Sequence, residues 1–459
     1  MRDIDNPQLS FKDPQILKHK VGRELAAIAT LLETDHEIAL LVHRDLTSAA
    51  IAAVGRKGLT AMQVLRCAVL KQWGRLTYDE LEFHLRDSAS FRQFARILGR
   101  GPSRSALQEA IISITAETWE RINRALLGQA QDLGIETGHM TRLDSTAIET
   151  FIHHPTDATL LQDCVRVITR LLGQGLERKP RPRYRFANHN RVTKRLVLTI
   201  NDAKSEAIRE AAYKKLISIA TRVRMSGNDG VAGLKLWLQE GRGSEEDQRW
   251  AEKICKELER VIALLEKIID QTKRRVLKKE KVETSEKIVS IFETHTDIIV
   301  KGQRETVFGH KMFVVSGKSS MILDCMLPRG NPADVEYFVP IVMRQAEIMG
   351  KIPRQTAADG GFASRSNLHE GKRLGVKDVV FAKRRGLAVE DMAGSKWIFN
   401  KLRDFRAGIE GNISTLKRAF GLNCSMWRGW EGFLRYVWSS IVSYNLRVMA
   451  RQMAALAAG

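Results

Sequence analysis

Three acidic residues stand in settings that suit phosphoryl chemistry. Asp144 lies in a short run rich in threonine and apolar residues, Met140-Thr141-Arg142-Leu143-Asp144-Ser145-Thr146. Asp359 ends the run Thr356-Ala357-Ala358 and is followed by Gly360 and Gly361, which allow close backbone approach to a ligand. Glu410 sits in a helical stretch, four residues after Arg406 and seven before Lys417. At about 100° per residue, Arg406 lies roughly 40° from Glu410, and Lys417 returns to within about 20° of Arg406. Hard divalent cations take oxygen ligands, and a two-metal phosphoryl-transfer site needs a few converging carboxylates. A carboxylate flanked by two cations suits metal and phosphate together. It equally suits an ordinary salt-bridged helix face.

Other residues compete for attention. Glu149 and Asp157 are rival carboxylates close to Asp144, placed second to it. His153 and His154 invite a metal reading, but Mg²⁺ prefers oxygen and their spacing matches no zinc motif. A substrate contact or a satisfied structural histidine is the expectation. The densest basic cluster covers residues 178–195 and includes Arg178, Arg181, Arg183, Arg185, Lys194 and Arg195, with Tyr184 and Phe186 interleaved. Its prolines oppose helix, so it reads as an extended arm along DNA, with a solvated linker as the alternative. Residues 273–281 add further cations, which suit phosphate tracking or a charged helix end. Residues 86–96 are basic with two phenylalanines, which suits DNA contact or a solvated helix face. Trp427, Trp430 and Trp438 read chiefly as core packing.

The elements that must position these groups follow from periodicity. Residues 13–130 carry apolar positions at three- and four-residue spacings, a helical region. Thr77 and Ser103 precede acidic residues, as helix starts do. Residues 140–148 read as a strand, after which strand signals disappear until about residue 297. Residues 158–287 are again mostly helical, with a long packed helix or antiparallel pair around residues 254–269. Then come a hairpin (307–315 and 321–327), a helix (332–349), a strand (355–358), a helix from 364, a strand (376–381) and a helix (401–420). This order describes an α/β mixed sheet covered by helices, with a large helical insertion after the first strand.

Composition limits the function classes. The chain has 459 residues with 74 Lys+Arg against 53 Asp+Glu, a net charge of +21. Such an excess points to a polyanionic partner, and 44% hydrophobic residues exclude a wholly disordered basic tail. The five cysteines, Cys67, Cys164, Cys255, Cys325 and Cys424, are scattered without a Cys-x-x-Cys spacing. Neither a disulfide framework nor a zinc site is expected, and a reducing cytoplasm fits. The sequence shows no signal-peptide architecture and no apolar run of membrane-spanning length.

The run Leu143-Asp144-Ser145-Thr146, the stretch around Asp359-Gly360-Gly361-Phe362, and the spacing of Arg406, Glu410 and Lys417 together resemble the three catalytic blocks of insertion-sequence DDE transposases. More narrowly, Glu149-Thr150-Phe151-Ile152-His153-His154-Pro155, Gly408-Ile409-Glu410-Gly411-Asn412 and Met426-Trp427-Arg428-Gly429-Trp430 resemble the ISNCY type. The resemblance implies an RNase H-like core with an N-terminal all-helical domain. It also implies two Mg²⁺ or Mn²⁺ ions held by Asp144, Asp359 and Glu410, and metal-dependent DNA strand cleavage and strand transfer. Arg406 and Lys417 match the basic members of the helix signature; where related elements carry a tyrosine three residues before the arginine, this chain has Arg403. The expected layout is an N-terminal DNA-binding and dimerisation domain (1–135), the first core strand (136–157), a basic insertion (158–294), the rest of the core (295–440) and a helical tail (441–459). The expected partner is double-stranded DNA, as terminal inverted repeats and target, bound by a homodimer in a synaptic complex. A bacterial, cytoplasmic and nucleoid-associated location is expected, with no membrane. A catalytically silent, transposase-derived DNA-binding protein is the alternative; it would lose one of the three carboxylates, and this chain keeps all three.

Overall fold

The structure is a computed structural model that describes residues 3–4, 14–48, 58–177, 179–301 and 305–456. It divides into two compact units. One comprises the described residues up to Phe151 and from Ile299 onward; the other is Ile152–Ile298.

The first unit opens with helices α1 (Pro14–Leu17), α2 (Lys20–Thr34), α3 (His36–Thr47), α4 (Ala61–Trp73), α5 (Tyr78–Asp87), α6 (Ala89–Ala95), α7 (Arg104–Ser113) and α8 (Ala116–Asp132). Local chemistry sets their starts. Thr77 accepts a hydrogen bond from the Glu80 amide (3.1 Å), and the Glu80 carboxylate accepts one from the Thr77 amide (2.7 Å), a reciprocal cap that satisfies two amides the helix leaves unpaired. Ser103 caps α7 in the simpler one-way manner. These helices do not close a core of their own. Leu25, Leu65, Trp119 and Leu126 share one hydrophobic cluster with Met312 and Val314 of the sheet and with Phe433, Ile441 and Met449 of the last helix.

The sheet is seven-stranded among the described residues. Its strands are β1 (Met140–Thr150), β2 (Asp297–Lys301), β3 (Glu305–Gly317), β4 (Ile322–Met326), β5 (Gln355–Ala358), β6 (Asp378–Phe381) and β7 (Cys424–Ser425). They run in the order β2-β3-β1-β5-β6, with β4 also on β3 and β7 also on β1. β3 is antiparallel to β1, whereas β5 is parallel to both β1 and β6. The mixed α/β sheet expected from the sequence is present. β2 and β7 went unread; β7 is only two residues long and is recognisable by its pairing with Glu149 and Thr150. On the face opposite the N-terminal helices, Leu143, Phe313, Val380 and Phe381 pack with Phe338, Phe362 and Leu402.

Helices α13 (Phe338–Met349), α14 (Arg365–Arg373), α15 (Val389–Met392), α16 (Lys396–Ala419) and α17 (Gly429–Leu456) complete this unit. α17 is a single helix buried as far as Ala450, so the boundary expected at residue 440 falls inside it.

The second unit holds α9 (Asp157–Leu176), α10 (Asn190–Asp202), α11 (Glu206–Gln239) and α12 (Glu245–Thr272), followed by a π-helical turn, Lys273–Leu277. Its own core joins Leu161, Ile168, Leu216, Leu234, Leu258 and Leu265. No described helix in either unit is long and apolar enough to cross a membrane.

Candidate active site

Strand register sets the first two carboxylates. Leu143 of β1 pairs with Ala358 of β5, so the next residues, Asp144 and Asp359, leave neighbouring parallel strands side by side. Adjacent strands are about 4.8 Å apart. Asp144 stays in the ladder with β3, opposite Val314, while Asp359 is already the extended residue ahead of a short 3₁₀ turn, Gly360–Phe362. The third carboxylate comes from α16. That helix buries a stripe of Phe399, Leu402, Ile409, Asn412 and Leu416. Arg406 lies on the edge of the stripe, and Glu410 is turned about 40° away.

The three carboxylates meet at one guanidinium. Arg406 Nη2 lies 2.7 Å from Asp144 Oδ2 and 3.1 Å from Asp359 Oδ1, and Nη1 lies 2.9 Å from Glu410 Oε1. The side chains of Arg406 and Asp144 are each 14% exposed, against 36% for Asp359 and 67% for Glu410. Burial pushes the Asp144 carboxyl up to about 6; Arg406 and the Ser145 amide, which donates at 2.7 Å, pull the other way, and the charges of Asp359 and Glu410 add to the rise. Arg406 was expected to offer its charge to phosphate, and here it offsets part of the charge of the acidic cluster. Lys417 lies two turns beyond Glu410 and is half-buried.

The glycines work differently from the sequence expectation. A Cβ on Gly360 would fall 2.5 Å from Lys383 Cβ, and one on Gly361 would overlap the Asp334 carboxylate, 3.1 Å from its Cγ. Both approaches are filled by the protein's own side chains. Asp334 also accepts from the Ser145 hydroxyl (3.1 Å) and pairs with Lys311, so it ties the loop after Asp359 to the residue after Asp144. Arg142, two residues before Asp144 and on the same face of β1, is a second support. Its Nε donates to Ser316 Oγ (2.7 Å), Nη1 to the Phe405 carbonyl (3.0 Å) and Nη2 to Ser320 Oγ (3.1 Å), with the guanidinium 4.8 Å from the Phe405 ring centre. Gly408 admits it: a Cβ there would overlap Nη1 and lie 3.0 Å from Cζ. Sequence reasoning missed Arg142 and Asp334; the glycine inside a helix at 408 was the one available signal.

The rival residues lie elsewhere. Asp157 begins α9, is buried, and accepts from Gln271 (2.8 Å) and Arg275 (2.8 Å). Glu149 is exposed on β1. His153 Nε2 lies 3.2 Å from Asp163. Cations of the 273–281 segment are largely spent locally: Arg274 pairs with Glu280 and Glu286 (3.2 and 3.1 Å), and Lys279 with Glu206.

The basic arm has a clear two-residue alternation. Arg181, Arg183 and Arg185 are exposed, whereas Pro182 is buried and Tyr184 and Phe186 pack against the core of the second unit. The Tyr184 hydroxyl donates to the Leu172 carbonyl (2.8 Å), and Trp237 Nε1 to the Pro180 carbonyl (2.6 Å). Lys194 and Arg195 are exposed on α10. Arg178, at the arm's start, lies outside the described residues. In the first unit, Lys383, Arg384 and Arg385 are exposed just after β6, beside the loop of Asp359; they were not singled out from the sequence.

The donor set suits a hard divalent cation, since every group is a carboxylate oxygen. With Arg406 between them the carboxylates are spread around a guanidinium, and no group of three acidic, histidine or cysteine side chains among the described residues is arranged to hold an ion. No protein of curated function and no solved structure matches the chain. Residues 267–446 match the family model described as a transposase DDE domain; they contain Asp359 and Glu410, and Asp144 precedes them. The matched part is less than half of the chain, and over those residues it is similar to that domain.

Proposed function

We propose that the protein is an insertion-sequence transposase of the ISNCY type, which binds the ends of its element and carries out metal-dependent strand cleavage and strand transfer through Asp144, Asp359 and Glu410. The observation that carries this reading is the convergence of three carboxylates, from β1, the end of β5 and α16, on one Arg406 guanidinium. An RNase H-like core is supported by the mixed sheet, in which the antiparallel β3 and β4 flank β1 on one side and the parallel β5 and β6 on the other.

Asp144, Asp359 and Glu410 would hold two Mg²⁺ or Mn²⁺ ions. The chemistry supplied by such ions when bound is a more acidic attacking oxygen and charge for the leaving oxygen of an in-line displacement. Asp144, the most buried of the three, fixes its carboxylate through the Ser145 amide; Glu410, the most exposed, faces the solvent side from which a strand arrives. Arg142 and Asp334 hold α16 and the Asp359 loop at β1. Arg181, Arg183, Arg185, Lys194 and Arg195 are exposed without an ion pair among the described residues, and Lys383 to Arg385 add cations close to Asp359. Such residues gain from replacing counterions on DNA. Two ends must meet for strand transfer, so a homodimeric synapse belongs to the same reading.

The test is a Mg²⁺-dependent cleavage assay on DNA carrying the terminal repeats that flank the coding region. Asp359→Ala is expected to lose cleavage while still binding this DNA; a fully active Asp359→Ala protein would sink the reading. Binding without cleavage by the wild-type chain would favour the catalytically silent alternative.

A further inference from the structure

Three carboxylates within reach of one point repel one another, and among the described residues Arg406 is a cation in contact with all three. The guanidinium is held in place by charge more than by a complete hydrogen-bond set, because its buried Nε makes no hydrogen bond among the described residues. It stands where an ion touching Asp144, Asp359 and Glu410 would have to stand. A guanidinium and a divalent cation cannot occupy that one position together, and their positive charges repel, so the two compete.

We propose that Arg406 is a built-in counter-ion: it holds the carboxylates together, and an incoming divalent cation must displace it. This rests on the assignment of the three carboxylates as the metal ligands and adds the regulation of that site. The position of Arg406 makes the displacement feasible. It lies at the edge of the buried stripe of α16, one helical turn from the exposed Glu410, so its long side chain can turn toward solvent without unpacking Leu402 or Ile409. A DNA phosphate offers the freed guanidinium a bidentate partner. Metal and DNA then favour each other's binding, since each removes what opposes the other, and such coupling is reciprocal. In the absence of DNA the site is kept weak for metal, so metal binding waits for a strand.

The experiment is a Mn²⁺ titration of the full chain without DNA, with free ion followed by electron paramagnetic resonance. Arg406→Gln is expected to bind Mn²⁺ roughly tenfold or more tighter than wild type, because a competing positive charge at contact distance has gone. Adding Asp144→Asn should abolish that gain. Arg406→Lys, which keeps the charge but not the fork, should fall between wild type and Arg406→Gln, and it keeps the question open to test if the glutamine variant fails to fold. Equal or weaker Mn²⁺ binding in Arg406→Gln and Arg406→Lys overturns the counter-ion role, and if wild type itself binds Mn²⁺ tightly through Asp144 the catalytic reading survives that failure. Mn²⁺ binding indifferent to Asp144→Asn overturns both.

Discussion

At the scale of single residues, Arg142 and Gly408 decide where Glu410 stands. Arg142 reaches from β1 to the Phe405 carbonyl and to Ser316 and Ser320, and it passes over α16 where the helix has no Cβ. In Gly408→Ala the new methyl would strike a guanidinium that cannot yield without releasing these hydrogen bonds. Alanine favours helix over glycine by about 1 kcal/mol, so destabilisation despite that gain would be informative. Gly408→Ala is expected to lower the melting temperature and cleavage together, whereas in an Arg142→Ala background the same substitution should cost nothing or stabilise. A double-mutant cycle on thermal stability checks this non-additivity. As candidates, Asp144, Asp359 and Glu410 could be picked from the sequence because each sits in a short block of distinctive residues, and what the structure adds is that all three reach Arg406. The Arg142–Gly408 contact was not legible there, because it joins segments far apart in the chain and nothing local marks an arginine in a strand as a clamp. Nor was the engagement of Arg406: helical geometry places it beside Glu410, but only the register of β1 with β5 brings Asp144 and Asp359 to the same guanidinium.

At the scale of elements, the clearest separation of structure from function is in the arm between α9 and α10. Extended backbone alternates side chains between two faces, and here Pro182, Tyr184 and Phe186 face the second unit's core while Arg181, Arg183 and Arg185 face solvent. The alternation was visible in the sequence as Arg-Pro-Arg-Tyr-Arg-Phe; that the aromatics serve as anchors was not, since stacking on bases and packing on a helix ask for the same residues. The anchors make the arginines removable. The triple variant Arg181→Ala, Arg183→Ala, Arg185→Ala should fold as wild type by circular dichroism and melting. Its DNA affinity should fall, and the slope of log K against log salt should become shallower by about three if each arginine meets one phosphate. An unchanged slope would assign the arm to solvent. The same reasoning separates residues 273–281, whose charges gave an identical sequence signal: Arg274, Arg275 and Lys279 are held by Glu280, Glu286, Asp157 and Glu206, so their loss should disturb the end of α12 before it disturbs DNA.

At the scale of the whole molecule, the chain encloses one folded unit within another. The insertion was legible because the strand signal stops after β1 and resumes near residue 297, while a helical period fills the interval. What periodicity could not reveal is that the first unit's N-terminal helices and α17 share a core with the sheet; apolar stripes say that a face is covered, not by which segment. The two units hold separate sets of buried residues, and separate cores are the physical basis for separate cooperative transitions, in which a single unfolding free energy is not defined. Calorimetry is therefore expected to resolve two transitions. Leu216 is fully buried in the second unit and Leu65 in the first; a buried Leu→Ala change removes about 2–5 kcal/mol. Leu216→Ala should lower one transition and leave the other in place, and Leu65→Ala should do the converse. A single transition that moves with either substitution would show that the units unfold as one, and the inserted unit would then have to be treated as part of one cooperative fold with the first.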